Sequence, residues 1–253
     1  MNYRNTAAVI MAGGRGERLR PLTDKIPKPL VRIGDGYAVT SSLKSLAAMG
    51  ITRAVLTVRY RWEDIVISLG DLHDGVRLSY LIENESVGTA GGVRAALPIL
   101  DAADDAGEVE EIIVLSGDAV FDMKLEDAIK LHRREGASAT LVLSRSDDAG
   151  KFGVVNLDGD IIRGFVEKPE NPPKEALVNT GIYILSREAV LEIPERVPYD
   201  FGRELFPKLI SLGKKLVGFV SDGYWCDVGS PEAYGRCCFD SAAGLINETH
   251  ART

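Results

Sequence analysis

The chain has 253 residues, with 30 Lys and Arg against 37 Asp and Glu, for a net charge of −7. That length can bury a core without help from disulfides or structural metals. Three cysteines, two of them adjacent (Cys237 and Cys238), offer neither a disulfide framework nor a zinc-ligand spacing, which suggests a reducing, cytoplasmic setting. The acidic balance argues against nucleic acid as a partner. No apolar run approaches the roughly 18 residues of a membrane span, and the few apolar residues before Gly13 are too short a run for a signal peptide. Glycine, 26 residues, is the one excess, so its positions are informative.

In chain order, Thr6–Ala12 (TAAVIMA) reads as a short buried strand running into Gly13-Gly14, and Thr40–Met49 as a helix stopped by Gly50. Ala54–Val58 is a second strand, Trp62–Leu69 a helix, Arg77–Ile82 a strand, and Gly91–Leu100 a helix. Ile112–Leu115 is a strand that delivers Ser116-Gly117-Asp118, followed by an amphipathic helix over Leu125–Glu135 and a strand over Ala139–Ser144. This alternation predicts a mostly parallel sheet covered by helices on both faces. From Phe152 the texture changes. Gly153–Leu157, Ile161–Val166 and Val178–Leu185 are strand-like pieces joined by turns, which suggests an antiparallel extension. Glu204–Leu212 reads as helix, Leu216–Ser221 as strand and Pro231–Ile246 as a closing helix. No repeat or low-complexity tract divides the chain. The expectation is one domain over residues 1–253, with a first half to about residue 150, a second over about 151–235, and a helix and tail over 231–253.

The first strand runs into Gly13-Gly14-Arg15-Gly16-Glu17-Arg18-Leu19-Arg20-Pro21-Leu22-Thr23. Three glycines in four positions let successive N–H groups converge on an anion. Between Arg15 and Lys28 stand five basic and two acidic residues, a local positive excess inside an acidic protein that suggests a phosphate-binding loop. The dinucleotide fingerprint does not fit, because its third glycine position falls on Leu19 with Pro21 close behind. The Walker loop does not fit either, since neither Gly150-Lys151 nor Gly213-Lys214 is followed by Ser or Thr. The full pattern, Gly13-Gly-x-Gly-x-Arg18-Leu-x-Pro21-Leu-Thr followed by Pro27-Lys28-Pro29-Leu30, resembles the opening signature of the sugar-1-phosphate nucleotidylyltransferases. These enzymes join an NTP and a sugar 1-phosphate into a nucleoside diphosphate sugar and release pyrophosphate.

Asp118 and Asp227 each sit where an apolar strand gives way to the next element, the edge at which open α/β sheets place ligands. Each alone reads equally well as a turn or cap residue. Together with a phosphate loop they point to Mg2+, which takes few carboxylates and keeps water and phosphate oxygens as its other ligands. No His or Cys cluster competes for a softer metal, and His73, His132 and His250 read as surface or structural residues.

The resemblance extends over roughly residues 6–235. It implies a GT-A-like, Rossmann-type three-layer α/β/α sandwich with a mixed, mostly parallel sheet. Leu115–Asp118 and Trp225–Gly229 match the metal-binding Leu-x-Gly-Asp and Trp-x-Asp-x-Gly motifs. Ala12, Gly13, Gly14 and Gly16 would then hold the triphosphate, with Arg18 and Lys28 as catalytic cations. Phe152-Gly153-Val-Val stands where the family has Tyr-Gly-Val-Val; Gly153, Glu167, Asn179 and Thr180 would face the sugar, and Lys168 its phosphate. Gly88-Thr89-Ala90-Gly91 resembles the loop against the nucleobase, and a carboxylate there, Glu83 by position, could accept both N1–H and the 2-amino group of guanine. The stretch from Val178 through Tyr224-Trp225 looks most like bacterial mannose-1-phosphate guanylyltransferases, favouring GTP and mannose 1-phosphate as partners and pyrophosphate as product. Alternatives are a uridylyl- or thymidylyltransferase acting on glucose 1-phosphate, or a non-catalytic regulatory homologue that binds NDP-sugars. Many relatives carry a C-terminal left-handed β-helix; so little sequence follows the closing helix that none is expected here. The oligomeric state stays open, a homo-oligomer included. Tyr60-Arg61-Trp62 departs from the polar stretch expected at that point.

Overall fold

Alternate residues of the first strand feed two different cores. In β1 (Thr6–Met11), Ala7 and Val9 pack into one apolar cluster, Ala8 and Ile10 into another, and all four are fully buried. A strand buried on both faces lies at the centre of a three-layer fold. The computed structural model describes residues 2–102 and 107–246. After β1 come the strands β2 (Arg32–Ile33), β3 (Gly36–Tyr37), β4 (Arg53–Val58), β5 (Leu72–His73), β6 (Val76–Ile82), β7 (Glu111–Ser116) and β8 (Ala119–Asp122). The remaining strands are β9 (Ala139–Ser146), β10 (Gly153–Asp158), β11 (Ile161–Glu167), β12 (Ala176–Ser186), β13 (Leu216–Val220) and β14 (Tyr224–Asp227). The helices are α1 (Thr40–Met49), α2 (Trp62–Leu69), α3 (Gly88–Asp101), α4 (Leu125–Glu135), α5 (Arg187–Leu191), α6 (Phe206–Ser211) and α7 (Pro231–Ala242).

Ten strands share one sheet in the order β10-β11-β13-β9-β12-β7-β1-β4-β6-β5. β7, β1, β4 and β6 are parallel neighbours, β13 is parallel to β9, and the reversed strands are β12, β11 and β5. Seven of the ten described strands therefore run the same way, the mixed, mostly parallel sheet expected. Residues of α3, α5 and α6 fill the cluster on one face; α1, α2 and α4 fill the other. α1 stops at Gly50 and α4 at Gly136, both left-handed, where glycine relieves the Cβ clash. α4 also carries Glu126 and Asp127 in its first turn and His132, Arg133 and Arg134 in its last, complementing its dipole. No helix among the described residues is long and apolar enough to cross a membrane.

Several elements differ from expectation. α3 starts at Gly88, not Gly91, because backbone N–H groups of Ala90 and Gly91 donate to Tyr199 O and hold the glycine-rich turn helical. The helix expected over Glu204–Leu212 begins earlier, as a π-helical turn over Phe201–Leu205 capped by Asp200, which accepts from the Gly202 and Arg203 N–H groups. The closing helix ends at Ala242. The short β2–β3 hairpin, β5, β8 and α5 carry no clear periodicity. His132 is structural: it is buried, its Nδ1 lies 2.9 Å from Thr140 Oγ1, and burial lowers its pKa. His73 is half-buried beside Asp74. His250 and residues 247–253 of the expected tail lie outside the described residues.

Candidate active site

The loop after β1 folds back on itself and is pinned from below. Ala12 is buried and its N–H donates to Thr57 O on β4. Gly14 and Arg15 are exposed at the open side of the loop. Gly16 adopts φ +68, its carbonyl accepts from Thr23 Oγ1 at 2.7 Å, and a Cβ there would lie 3.1 Å from the Lys28 Cβ, so only glycine fits without strain. Arg18 follows on a 3-10 turn over Glu17–Leu19 anchored by buried Leu19. Its guanidinium comes within 3.2 Å of the position a Cβ would take on Gly229, beside Asp227.

Lys28 is 7% exposed, yet its ammonium lies between two carboxylates. It donates to Asp118 Oδ2 and lies 3.5 Å from Asp227 Oδ1. The two aspartates, 109 positions apart, meet because β8 and β14 pair antiparallel in a small separate sheet that sets Asp227 opposite Ala119. Asp227 is the last residue of β14, at a strand end as expected. Val228 N–H donates to Asp118 O at 3.1 Å and closes the pairing. Ser116 Oγ donates to Asp118 Oδ1 at 2.5 Å. Burial opposes the charge on Asp118, but the Lys28 ammonium and the Ser116 hydroxyl outweigh it and hold the carboxyl below its usual range. Burial likewise opposes the Lys28 charge and is outweighed by Asp118 and Asp227, so the ammonium is held more firmly than usual. Burial and the neighbouring Asp118 push Asp227 upward against the pull of Lys28 and Arg18.

Among the described residues no group of three or more His, Cys, Asp or Glu side chains could hold a metal. The candidate donors are two hard carboxylates and no more. That set fits Mg2+ completed by phosphate oxygens and water, and does not fit a fully protein-bound or soft metal.

Glu83 extends from the end of β6, where its N–H donates to Val58 O. Its carboxylate lies against the phosphate loop on one side and α3 on the other: Oε2 is 3.3 Å from the Cβ position of Gly13, and Oε1 is 2.6 Å from that of Gly92. Burial raises its pKa, opposed by Arg59. Glu85 is exposed. Gly88 has φ +75, and a Cβ there would come within 2.3 Å of Tyr199 O. The Thr89 hydroxyl is held by internal partners; it donates to Asp200 Oδ2 at 2.8 Å and accepts from Phe201 N–H at 3.2 Å.

On the other side, register pairs Gly153 of β10 with Glu167 of β11. Glu167 Oε2 lies 3.0 Å from the Cβ position of Gly153 and 2.7 Å from that of Gly202, so the carboxylate is cradled by two glycines. Lys168 is exposed, in left-handed conformation, with Nζ 3.7 Å from Glu167 Oε1. Asn179 donates to Tyr183 Oη at 2.8 Å and accepts from Gly181 N–H at 3.0 Å, so internal partners hold both ends of its amide. A bulge in β12 between Asn179 and Tyr183 brings Gly181 against Ser116, which links this side to Asp118. Thr180 does not join the set. It is buried and donates to Val142 O at 2.7 Å, because side chains on a strand alternate and its neighbour Asn179 takes the other face.

Sequence reasoning missed three supporting groups. Ser116 occupies the variable position of Leu-x-Gly-Asp, and Arg59, the residue after β4, packs against Gly13. Trp225 stands edge-on to Phe152 with ring centroids 5.0 Å apart, packing β14 against the segment that enters β10. The strand β8 was the missing signal: four residues after Asp118 that pair with the Trp-x-Asp motif.

Comparison with known proteins fits this geometry. A nucleotidyl transferase family model matches residues 7–240. A mannose-1-phosphate guanyltransferase of Candida albicans is 36% identical over 238 residues, covering 91% of this chain and 64% of the relative. One from Schizosaccharomyces pombe is 37% identical over 243 residues, covering 93% of this chain and 64% of the relative. The chain thus spans just under two-thirds of the length of these relatives. Among solved structures, HddC from Yersinia pseudotuberculosis complexed with GMP-PN superposes with a TM-score of 0.75 at 26% identity, covering 92% of this chain and 98% of HddC.

Proposed function

The chain belongs to the nucleotidyl transferase family, and from that premise we propose that it transfers a nucleoside monophosphate from an NTP to a sugar 1-phosphate, releasing pyrophosphate. The favoured pair is GTP with mannose 1-phosphate. The observation that carries the reading is the convergence of Lys28, Asp118 and Asp227 beside the Gly13–Gly16 loop at the C-terminal edge of β1 and β7. The names of the relatives support the substrate pair. So does Glu83, a carboxylate between β6 and the Gly88–Gly91 turn, which can accept both donors of the guanine edge.

In this reaction a phosphate oxygen of the sugar 1-phosphate attacks the α-phosphorus. The new P–O bond forms as the bond to the β-phosphate oxygen breaks, and the electron pair leaves with pyrophosphate. The attacking group is already an anion near neutral pH, so no general base is needed. What the protein supplies is position and charge. N–H groups of the glycine loop receive the triphosphate; Arg18 at the loop rim and Lys28 beneath it offset the charge that builds on the transferring and leaving groups. Lys168, exposed at the opposite wall, guides the incoming phosphate, while Glu167, with Gly153 and Asn179 around it, orients the sugar hydroxyls. Asp118 and Asp227 would hold Mg2+. Bound there, Mg2+ supplies further neutralisation of phosphate charge.

The same proposal divides the labour: residues to about 150 serve the nucleotide, about 151–235 the sugar, and 231–253 close the fold. A cytoplasmic setting belongs to it too, where NTPs reside and the free thiols of Cys226, Cys237 and Cys238 persist. The test is Asp118→Asn. Mg2+-dependent pyrophosphate release from GTP and mannose 1-phosphate should fall by about 100- to 1,000-fold, the scale of a lost electrostatic contact at a transition state, with the thermal midpoint little changed. Near-normal turnover would remove Asp118 from the mechanism.

A further inference from the structure

Asp200 belongs to none of the groups placed so far, yet it joins the two walls of the cleft. Its Oδ1 accepts from the Gly202 and Arg203 N–H groups at 3.1 and 3.4 Å and caps the π-helical turn over Phe201–Leu205. Its Oδ2 accepts from the Thr89 hydroxyl at 2.8 Å, and Thr89 Oγ1 in turn accepts from Phe201 N–H. The backbone beside it repeats the connection: Tyr199 O accepts from Ala90 and Gly91 N–H at 3.0 and 3.1 Å, and Tyr199 N–H donates to Val87 O at 2.9 Å. One end of this clasp is therefore the Gly88–Gly91 turn. The other end reaches the opposite wall by two routes. Gly202 abuts Glu167 Oε2, and the Phe201 ring packs 4.8 Å from that of Tyr183, whose hydroxyl takes the Asn179 amide.

We propose that Asp200 is a positioning residue that sets the sugar wall, Glu167 and Asn179, at a fixed distance from the base-side turn through Thr89. This rests on the two-substrate reading above. A clasp between two subsites makes a specific prediction: loosening it weakens both substrates at once, whereas loss of a group that touches one substrate weakens that one.

Asp200→Asn weakens the contact selectively: an amide oxygen still accepts the two turn N–H groups, while the charge-assisted O–H···carboxylate bond from Thr89 gives way at best to a neutral N–H donated to the Thr89 oxygen. In steady-state pyrophosphate-release assays, Asp200→Asn should raise KM about fivefold or more for both GTP and mannose 1-phosphate, with kcat changed less, the size of one charge-assisted hydrogen bond. Thr89→Val removes this bond together with the acceptor of Phe201 N–H and should raise both KM values at least as far, and the double variant should be no worse than Thr89→Val alone. Thr89→Ser, which keeps the hydroxyl but loses the methyl, should restore KM; a packing role would reverse the order of Val and Ser. Unchanged KM values in Asp200→Asn, a change confined to one substrate, or multiplying effects in the double variant would overturn the proposal. Absence of pyrophosphate release by the wild type would overturn the two-substrate reading instead. The clasp is then read from amide exchange at Ala90 and Gly91, which Asp200→Asn must accelerate; unchanged rates would overturn it.

Discussion

The two ends of the large sheet reach the cleft by different means. In the β7-β1-β4-β6 half, parallel strands are crossed by helices, and the groups facing the cleft sit on the turn directly after a strand: Gly13 to Gly16 after β1, Asp118 after β7, Glu83 after β6. Each takes its position from the strand it follows, and distant partners such as Lys28 and Val228 for Asp118 hold it there. In the half built from β9 to β13, the cleft groups depend on pairings between distant segments: Glu167 on β11 meets Gly153 through register and Gly202 from the turn after Asp200. The difference teaches that the first wall is presented on turns that follow parallel strands, while the second is carried on strand pairs and on the turn after Asp200. Substitutions in the first should act on the nucleotide, and those in the second on the sugar.

The strongest way to break that division is Glu167→Ala. It should lower kcat/KM for the sugar 1-phosphate by about 100-fold, as a lost charged hydrogen-bond acceptor does, and leave the KM for GTP within about twofold. A parallel rise in both KM values would merge the walls functionally. Glu83→Gln sharpens the other side. A glutamine carbonyl can accept one guanine N–H, but its NH2 opposes the second; facing uracil, the same amide can accept N3–H and donate to a carbonyl. The ratio of kcat/KM for GTP over UTP should fall about tenfold, measured by pyrophosphate release with each NTP. An unchanged ratio would remove Glu83 from base recognition.

The nucleotide side was the more legible in sequence, and the physical reason lies in the residues themselves. A phosphate loop needs glycines and cations in a row, so Gly13 to Lys28 could be read directly, and the helix stop at Gly50 follows from backbone sterics. Asp227 was found as a motif, but its strand was not, because β14 is four residues long and is held by pairing with β8 rather than by periodicity. Thr180 shows the converse. It shares a motif with Asn179, yet strand alternation turns it into the core, where it bonds to Val142 O. The clasp at Asp200 was illegible for a related reason: Thr89 and Asp200 are 111 positions apart.

Two smaller effects test whether the interior groups are structural. Thr180→Val should cost about 1–2 kcal/mol in urea unfolding, the loss of a buried hydrogen bond, with both KM values unchanged. A rise in sugar KM without loss of stability would return Thr180 to the cleft. His132 should give the smallest effect. Burial lowers its pKa in the fold, so the unfolded chain binds the proton first. The stability it contributes is complete above the unfolded value near 6.5 and is lost as pH falls below it toward the folded value. Urea midpoints between pH 7.5 and 5.5 should therefore drop less in His132→Gln than in the wild type; equal drops would mean that His132 does not titrate on unfolding.

The most direct test of the central claim is pyrophosphate release by the wild-type protein across a grid of GTP, UTP, TTP, ATP and CTP against mannose 1-phosphate, glucose 1-phosphate and other sugar 1-phosphates, with Mg2+ present. The account predicts release that requires both substrates and is greatest for GTP with mannose 1-phosphate. Greater release with UTP or TTP and glucose 1-phosphate would contradict the assignment of the base and the sugar. Tight binding of an NDP-sugar with no release in any cell of the grid would contradict the activity itself.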